Sequence, residues 1–242
     1  TRADRLPLTL ALHGFKGYKD YGFFPYLARQ LAEGGNIVAR FNFSHSGMTN
    51  HVQTFERPEL FERDSWSRQL ADVQCVLDAI ETLPAAERID RERIGLVGHS
   101  RGGLVALLTA GHDTRIGATV ALASPSSADN LSDDQKQQIR EQGYVISPSS
   151  RTGQDLRVGR AWLEDIEANA APGGRLDLLG AVGRIATPLL IAHGSADASV
   201  PVDCAREIAE AYSGTPDLFI LNGVNHTFNC ANPFTGPSPA LT

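Results

Sequence analysis

Three side chains in this sequence, in the order serine, aspartate, histidine, could carry out nucleophilic acyl chemistry. Ser100 stands in the run Gly98-His99-Ser100-Arg101-Gly102. An apolar stretch, Ile94 to Val97, leads into it, and Leu104 to Leu108 follows. That order reads strand, tight turn, helix, the setting in which a Gly-x-Ser-x-Gly element presents its serine on a strained turn. Gly98 and Gly102 leave the room such a turn needs, and Gly103 lets the helix approach the sheet. A serine hydroxyl is a weak nucleophile at neutral pH and needs a base, itself held by a third group. His226 is the candidate base, after the last apolar run and before a mobile-looking loop at 227–232. Asp197, in the polar turn Gly194-Ser195-Ala196-Asp197, is the candidate orienting acid. Two other carboxylates compete: Asp129, shortly after an earlier strand end, and Asp203, which suits the start of a helix.

An acyl-transfer site also needs two N–H donors aimed at the developing oxyanion. The amide of Arg101, immediately after the serine, supplies one. The best candidate for the other is the amide of Phe15, in the loop His13-Gly14-Phe15. The chain has seven histidines. His13 and His193 each precede a glycine at a strand end and suit loop-shaping roles. His45 lies in a turn, His99 lies inside the serine turn pointing away from the nucleophile, and His51 and His112 have no supporting context.

The elements that must position these residues follow from periodicity. Apolar runs at 6–12, 37–43, 94–97, 117–123, 188–193 and 218–221 read as six strands. Between them, helical spacing marks 23–31, 66–80 with Ser65 as N-cap, 101–110 and 202–212. Residues 48–64 read as irregular. The alternation predicts an α/β fold, a mostly parallel sheet with helices on both faces, in a single domain over residues 1–242. Residues 126–186 break the alternation and are too long for a simple connection, so they read as an inserted cap, with helices around 133–141 and 156–168. The cap leaves the sheet at a carboxyl end, as the candidate residues do, and so is expected above Ser100. Trp162, its largest apolar side chain, is the candidate substrate-binding residue. The Pro-rich tail at 233–242 is expected to begin a final helix.

Composition narrows the partners. The net charge is −6, with no basic run, which argues against nucleic acid. No stretch reaches the length of a membrane span. Three widely spaced cysteines, with no Cys-x-x-Cys, point to reduced thiols and a cytoplasmic setting, with Cys75 in the core. The chain opens on Thr1, which leaves a removed signal peptide open.

Taken together, His13-Gly14-Phe15, Gly98-His99-Ser100-Arg101-Gly102, His193-Gly194-Ser195-Ala196-Asp197 and Asn225-His226-Thr227-Phe228 resemble the α/β-hydrolase superfamily. The resemblance covers nearly the whole chain except the insertion and the tail. The loop motifs look like the branch that holds bacterial carboxylesterases, including cinnamoyl and feruloyl esterases, and the prolyl-oligopeptidase-type peptidases. The resemblance implies a Ser-His-Asp acyl hydrolase with no metal and no organic cofactor, and the expected substrate is a small-molecule carboxylic ester. A peptidase with the same triad and a non-catalytic binding protein on the same fold are the alternatives. A dehalogenase would need a carboxylate in place of Ser100.

Overall fold

The computed structural model describes residues 5–241. Its centre is a six-stranded sheet built from β1 (Leu6–Leu12), β2 (Ile37–Arg40), β3 (Ile89–His99), β4 (Ile116–Leu122), β7 (Leu189–Gly194) and β8 (Asp217–Leu221). The strand order is β2-β1-β3-β4-β7-β8, and every neighbouring pair is parallel. The sequence order reverses direction between β1 and β3, and the loops leaving these two strands diverge to open a crevice above the sheet.

The covering helices follow local sequence signals. In α1 (Phe24–Glu33) a proline occupies the first turn, where its missing N–H costs nothing. A pentapeptide helix, α2 (Pro58–Glu62), interrupts the stretch expected to be irregular. α3 (Trp66–Asp78) starts at Ser65, whose hydroxyl accepts from Arg68 N. Cys75 lies on its exposed side rather than in the core: the buried stripe runs through Trp66, Gln69, Leu70, Val73 and Leu77, and position 75 falls opposite it. α4 (Arg101–His112) is buried along nine consecutive residues, Arg101 to Thr109, and lies against β3 and β4. α8 (Asp203–Ala211) covers β7.

Residues 126–186 contain α5 (Asp133–Gln142), an antiparallel hairpin of β5 (Tyr144–Pro148) and β6 (Asp155–Gly159), α6 (Arg160–Asn169) and α7 (Leu178–Val182). The hairpin replaces the start of the second expected helix: Leu156 and Val158 point inward at alternate positions, with Asp155 and Arg157 outward. Val145, Leu156, Trp162, Leu163 and Ile166 join the same hydrophobic core as Leu8, Leu10 and Leu96 of the sheet, whereas Ile146 is exposed. Asp165 on α6 accepts from Ser67 N and Ser67 Oγ at 2.7 and 2.6 Å, pinning the insertion to the first turn of α3. The tail does not form the expected final helix: up to Leu241 it consists of turns and bends. Among the described residues no helix is long and apolar enough to cross a membrane, and all three cysteines are free.

Candidate active site

Ser100 caps the N-terminus of α4 with φ 56° and ψ −121°, a conformation that side-chain-bearing residues rarely adopt. Its neighbours explain how the turn closes. A Cβ on Gly98 would lie 2.1 Å from Gly102 O, and one on Gly102 would lie 2.1 Å from Leu12 O. Ser100 N donates to Leu122 O at 2.7 Å, so β4 holds the turn from the other side.

His226 follows β8, and its Nδ1–H donates to Asp197 Oδ2 at 2.7 Å. The second carboxylate oxygen of Asp197 accepts the amides of Ser199 and Val200 at 2.8 and 2.9 Å. Burial pushes this carboxyl upward in pKa, but the Val200 amide, the His226 ring and the Ser199 amide outweigh it and hold it below the ordinary value. Asp197 is therefore ionised at neutral pH. Among the described residues neither competing carboxylate bonds His226: Asp129, on the wall of the cavity that holds Ser100 and His226, pairs with Lys136 at 2.6 Å, and Asp203 pairs with Arg206 at the start of α8. The loop after His226 is clasped: Asn225 Oδ1 accepts from Thr227 N and Asn229 N, and Asn229 Oδ1 accepts from Asn225 N. That clasp departs from the mobile loop expected of this stretch.

Three further histidines support the arrangement. His99 Nε2 donates to the backbone carbonyl of His226 at 2.7 Å, and the two rings lie 4.8 Å apart. His99 thereby holds the backbone of the candidate base, a role that its place in the serine turn does not signal. Burial pushes its pKa down to about 4, so the ring is neutral. His193 Nε2 donates to Val200 O at 3.0 Å and lies 3.3 Å from Asp197 Oδ2.

His13 shapes the first loop. Its Nδ1–H donates to Gly14 O at 2.9 Å while its Nε2 accepts from Phe43 N at 3.2 Å. Burial pushes its pKa down to about 4, which keeps it neutral and able to do both. Gly17 N also donates to Gly14 O. The Gly14 carbonyl and the Phe15 N–H belong to one planar trans peptide and point in opposite directions. Tying the carbonyl down on one side therefore turns the Phe15 amide to the other. The Arg101 amide, first in α4, has no carbonyl four residues back to pair with.

Arg101 is 6% exposed. Its guanidinium carbon lies 3.9 Å from the ring centres of both Phe15 and Trp162 and 5.2 Å from that of Trp66. Its one ion-pair partner among the described residues is Asp64, at 3.3 Å. Burial pushes the Asp64 carboxyl up, opposed by Arg101, and pushes the guanidinium down, opposed by Asp64. Asp64 and Trp66 fall in and beside the stretch read as irregular, and no motif marks them.

Two cavities meet at Ser100. The larger, about 520 Å³, is lined by Phe15, Trp66, Ser100, Arg101, Pro125, Asn130, Val200, Cys204 and His226, among others. The smaller, about 200 Å³, shares Phe15, Ser100 and His226 and adds Lys16, Tyr21, Pro148 and Arg151. The stretch between β4 and β7 thus contributes to both, through residues 126–130 and 148–151. Trp162 lines neither. At 2% exposure it lies behind Arg101, with its indole N–H 3.4 Å from Asn130 Oδ1. Buried behind the guanidinium and absent from both linings, Trp162 supports Arg101 and does not make the expected contact with the cavity.

The wider comparisons agree with this architecture. The family model described as "Alpha/beta hydrolase family" matches residues 10–234. No curated protein sequence matches the chain. Among solved structures, Est1E from Butyrivibrio proteoclasticus with ferulic acid bound is similar at 19% identity and a TM-score of 0.67, over 93% of this chain and 83% of that one. The alpha/beta hydrolase GrgF from Penicillium sp. sh18 is similar at 17% identity and a TM-score of 0.71, over 93% and 83%. A monoacylglycerol lipase from Paleococcus ferrophilus is similar at 15% identity and a TM-score of 0.67, over 92% and 88%. At such identities the likeness speaks for the fold alone, but the family match spans nearly the whole sequence: the chain belongs to the alpha/beta hydrolase family.

Proposed function

We propose that this protein is a serine hydrolase of carboxylic esters, working through an acyl-enzyme on Ser100. The observation that carries the reading is the 2.7 Å bond from His226 Nδ1 to a buried, ionised Asp197, beside a serine held at φ 56° in the same cavity walls. With Nδ1 committed to Asp197, the free Nε2 is the nitrogen available to take the Ser100 proton. Among the described residues Ser100 Oγ and His226 share no hydrogen bond, and the contact is expected to tighten when substrate enters.

In the proposed reaction, Ser100 Oγ attacks the ester carbonyl as His226 accepts its proton. The Phe15 and Arg101 amides hold the tetrahedral oxyanion. His226, now imidazolium and stabilised by Asp197, protonates the leaving alcohol. Water then repeats the sequence on the acyl group. Cavities on two sides of Ser100 suit the two halves of an ester, and residues 126–186 serve as a fixed cap that walls both. Aryl and cinnamoyl esters are the first to test, because Est1E, a relative in fold, binds ferulic acid. The test is a panel of acetate, octanoate and cinnamate esters beside an aminoacyl anilide. Hydrolysis of esters and not of the anilide supports an esterase; the reverse order moves the reading to a peptidase.

A further inference from the structure

We infer that the smaller cavity beside Ser100 is an anion subsite, and that the ester taken by this enzyme carries a carboxylate gripped by Lys16 and Arg151. The inference rests on the ester-hydrolase reading and adds a substrate class to it.

The cavity mouth departs from the rest of the molecule in its charge. The chain as a whole is acidic, at −6. Yet the residues lining this cavity include Lys16 and Arg151 and no aspartate or glutamate. Among the described residues neither cation takes part in an ion pair. Lys16 stands at φ 57°, the left-handed region, immediately after the candidate oxyanion donor Phe15. Its ammonium donates to Pro148 O at 2.6 Å, leaving two N–H donors without a protein acceptor among the described residues. Arg151 comes from the turn of the β5–β6 hairpin, whose Pro148 carbonyl holds Lys16. Its guanidinium lies 5.1 Å from the rings of Tyr18 and Phe55; Nη1 donates to Val52 O, and Nη2 donates to Lys16 O at 3.4 Å and Met48 Sδ at 3.5 Å. These contacts fix the fork in place and use neutral acceptors only.

Half-buried cations without a facing carboxylate are held at a cost. Burial pushes the pKa of both downward, and the Arg101 guanidinium adds to the effect on Lys16. An incoming carboxylate would relieve that cost and accept the unspent donors through charge-assisted bonds. Among the described residues Arg151 keeps Nε–H and one Nη1–H unspent and Lys16 supplies a point charge, donors suited to a terminal carboxylate on one half of the ester.

Two substrate pairs separate the halves. Monomethyl glutarate against dimethyl glutarate places the charge on the acyl side; 4-acetoxybenzoate against its methyl ester places it on the alcohol side. The ratio of kcat/KM, anionic over neutral, is compared in wild type, Lys16→Gln and Arg151→Gln. Because each ratio is taken within one protein, a loss of stability cancels. We expect the ratio of one pair to fall about tenfold in each variant, mainly through KM, and the wild-type ratio to fall with added salt. Ratios unchanged in both variants, for both pairs, would overturn the subsite while leaving ester hydrolysis standing. If wild type hydrolysed none of the four esters, the hydrolase reading would fail instead. Calorimetric titration of 4-acetoxybenzoate into Ser100→Ala would then read the subsite by itself: binding weakened by Arg151→Gln supports it, and absence of binding overturns it.

Discussion

The guanidinium of Arg101 lies 3.9 Å from the centre of the Phe15 ring, so the two residues whose amides are proposed to hold the oxyanion are also stacked on each other through their side chains. One donor belongs to the loop after β1 and the other to the first residue of α4. The stack joins these segments directly, and Trp162, at the same distance on Arg101, backs it.

Removing the stack should separate catalysis from stability. Arg101→Met is expected to lower kcat by roughly ten- to a hundredfold, as expected when oxyanion donors lose alignment. It should also destabilise the fold by roughly 3 kcal/mol, because Asp64 is left buried without its cation. The double variant Asp64→Asn/Arg101→Met should recover stability, measured by denaturant unfolding, without recovering kcat. Recovery of both would mean that Arg101 acts only through the ion pair.

Trp162→Ala should lower kcat/KM in parallel for short and long esters, because the indole touches Arg101 and no cavity. Cys204→Phe should behave differently. Cys204 lines the larger cavity and is half-buried, so a ring there should penalise octanoate and cinnamate esters while acetate reacts nearly as before. Rates across an ester series distinguish the two patterns.

Acid should weaken the protein between about pH 6.5 and pH 4. His13 and His99 have an ordinary value of 6.5 lowered by burial to about 4 in the folded chain. Between those values the unfolded chain binds more protons, so stability is full above 6.5 and is lost as pH falls towards 4. His99→Gln keeps a donor for the His226 carbonyl but cannot charge, and should flatten this part of the Tm–pH curve. A curve as steep as that of wild type would place the acid sensitivity elsewhere.

Much of this was legible in the sequence because strands and helices alternate with clear periods, and because a parallel sheet gathers its strand ends on one edge. Ser100, Asp197 and His226 each follow a strand, so their convergence follows from topology. The hairpin at β5–β6 is not legible: Leu156 and Leu163, seven residues apart, satisfy helical spacing equally well, and tertiary packing decides between the two. Cys75 was misplaced because one residue along a helix turns a side chain through about 100°. The role of Trp162 was hidden for another reason. A large apolar residue in an insertion fits a cavity wall and a core equally well until its partner, the Arg101 guanidinium, is in view. Asp64 and Lys16 carry no motif at all, since their importance lies in what they face across the fold.

The most direct test of the account is whether Ser100 carries the acyl group. Rapid quenching of wild type with p-nitrophenyl acetate, followed by mass spectrometry of the peptide that holds Ser100, should find one acetyl group on that serine. His226→Ala should form it orders of magnitude more slowly, and Ser100→Ala should not form it. Turnover by the Ser100→Ala protein at even a tenth of the wild-type rate, or an acetyl group on another residue with Ser100 unmodified, would contradict the proposed mechanism.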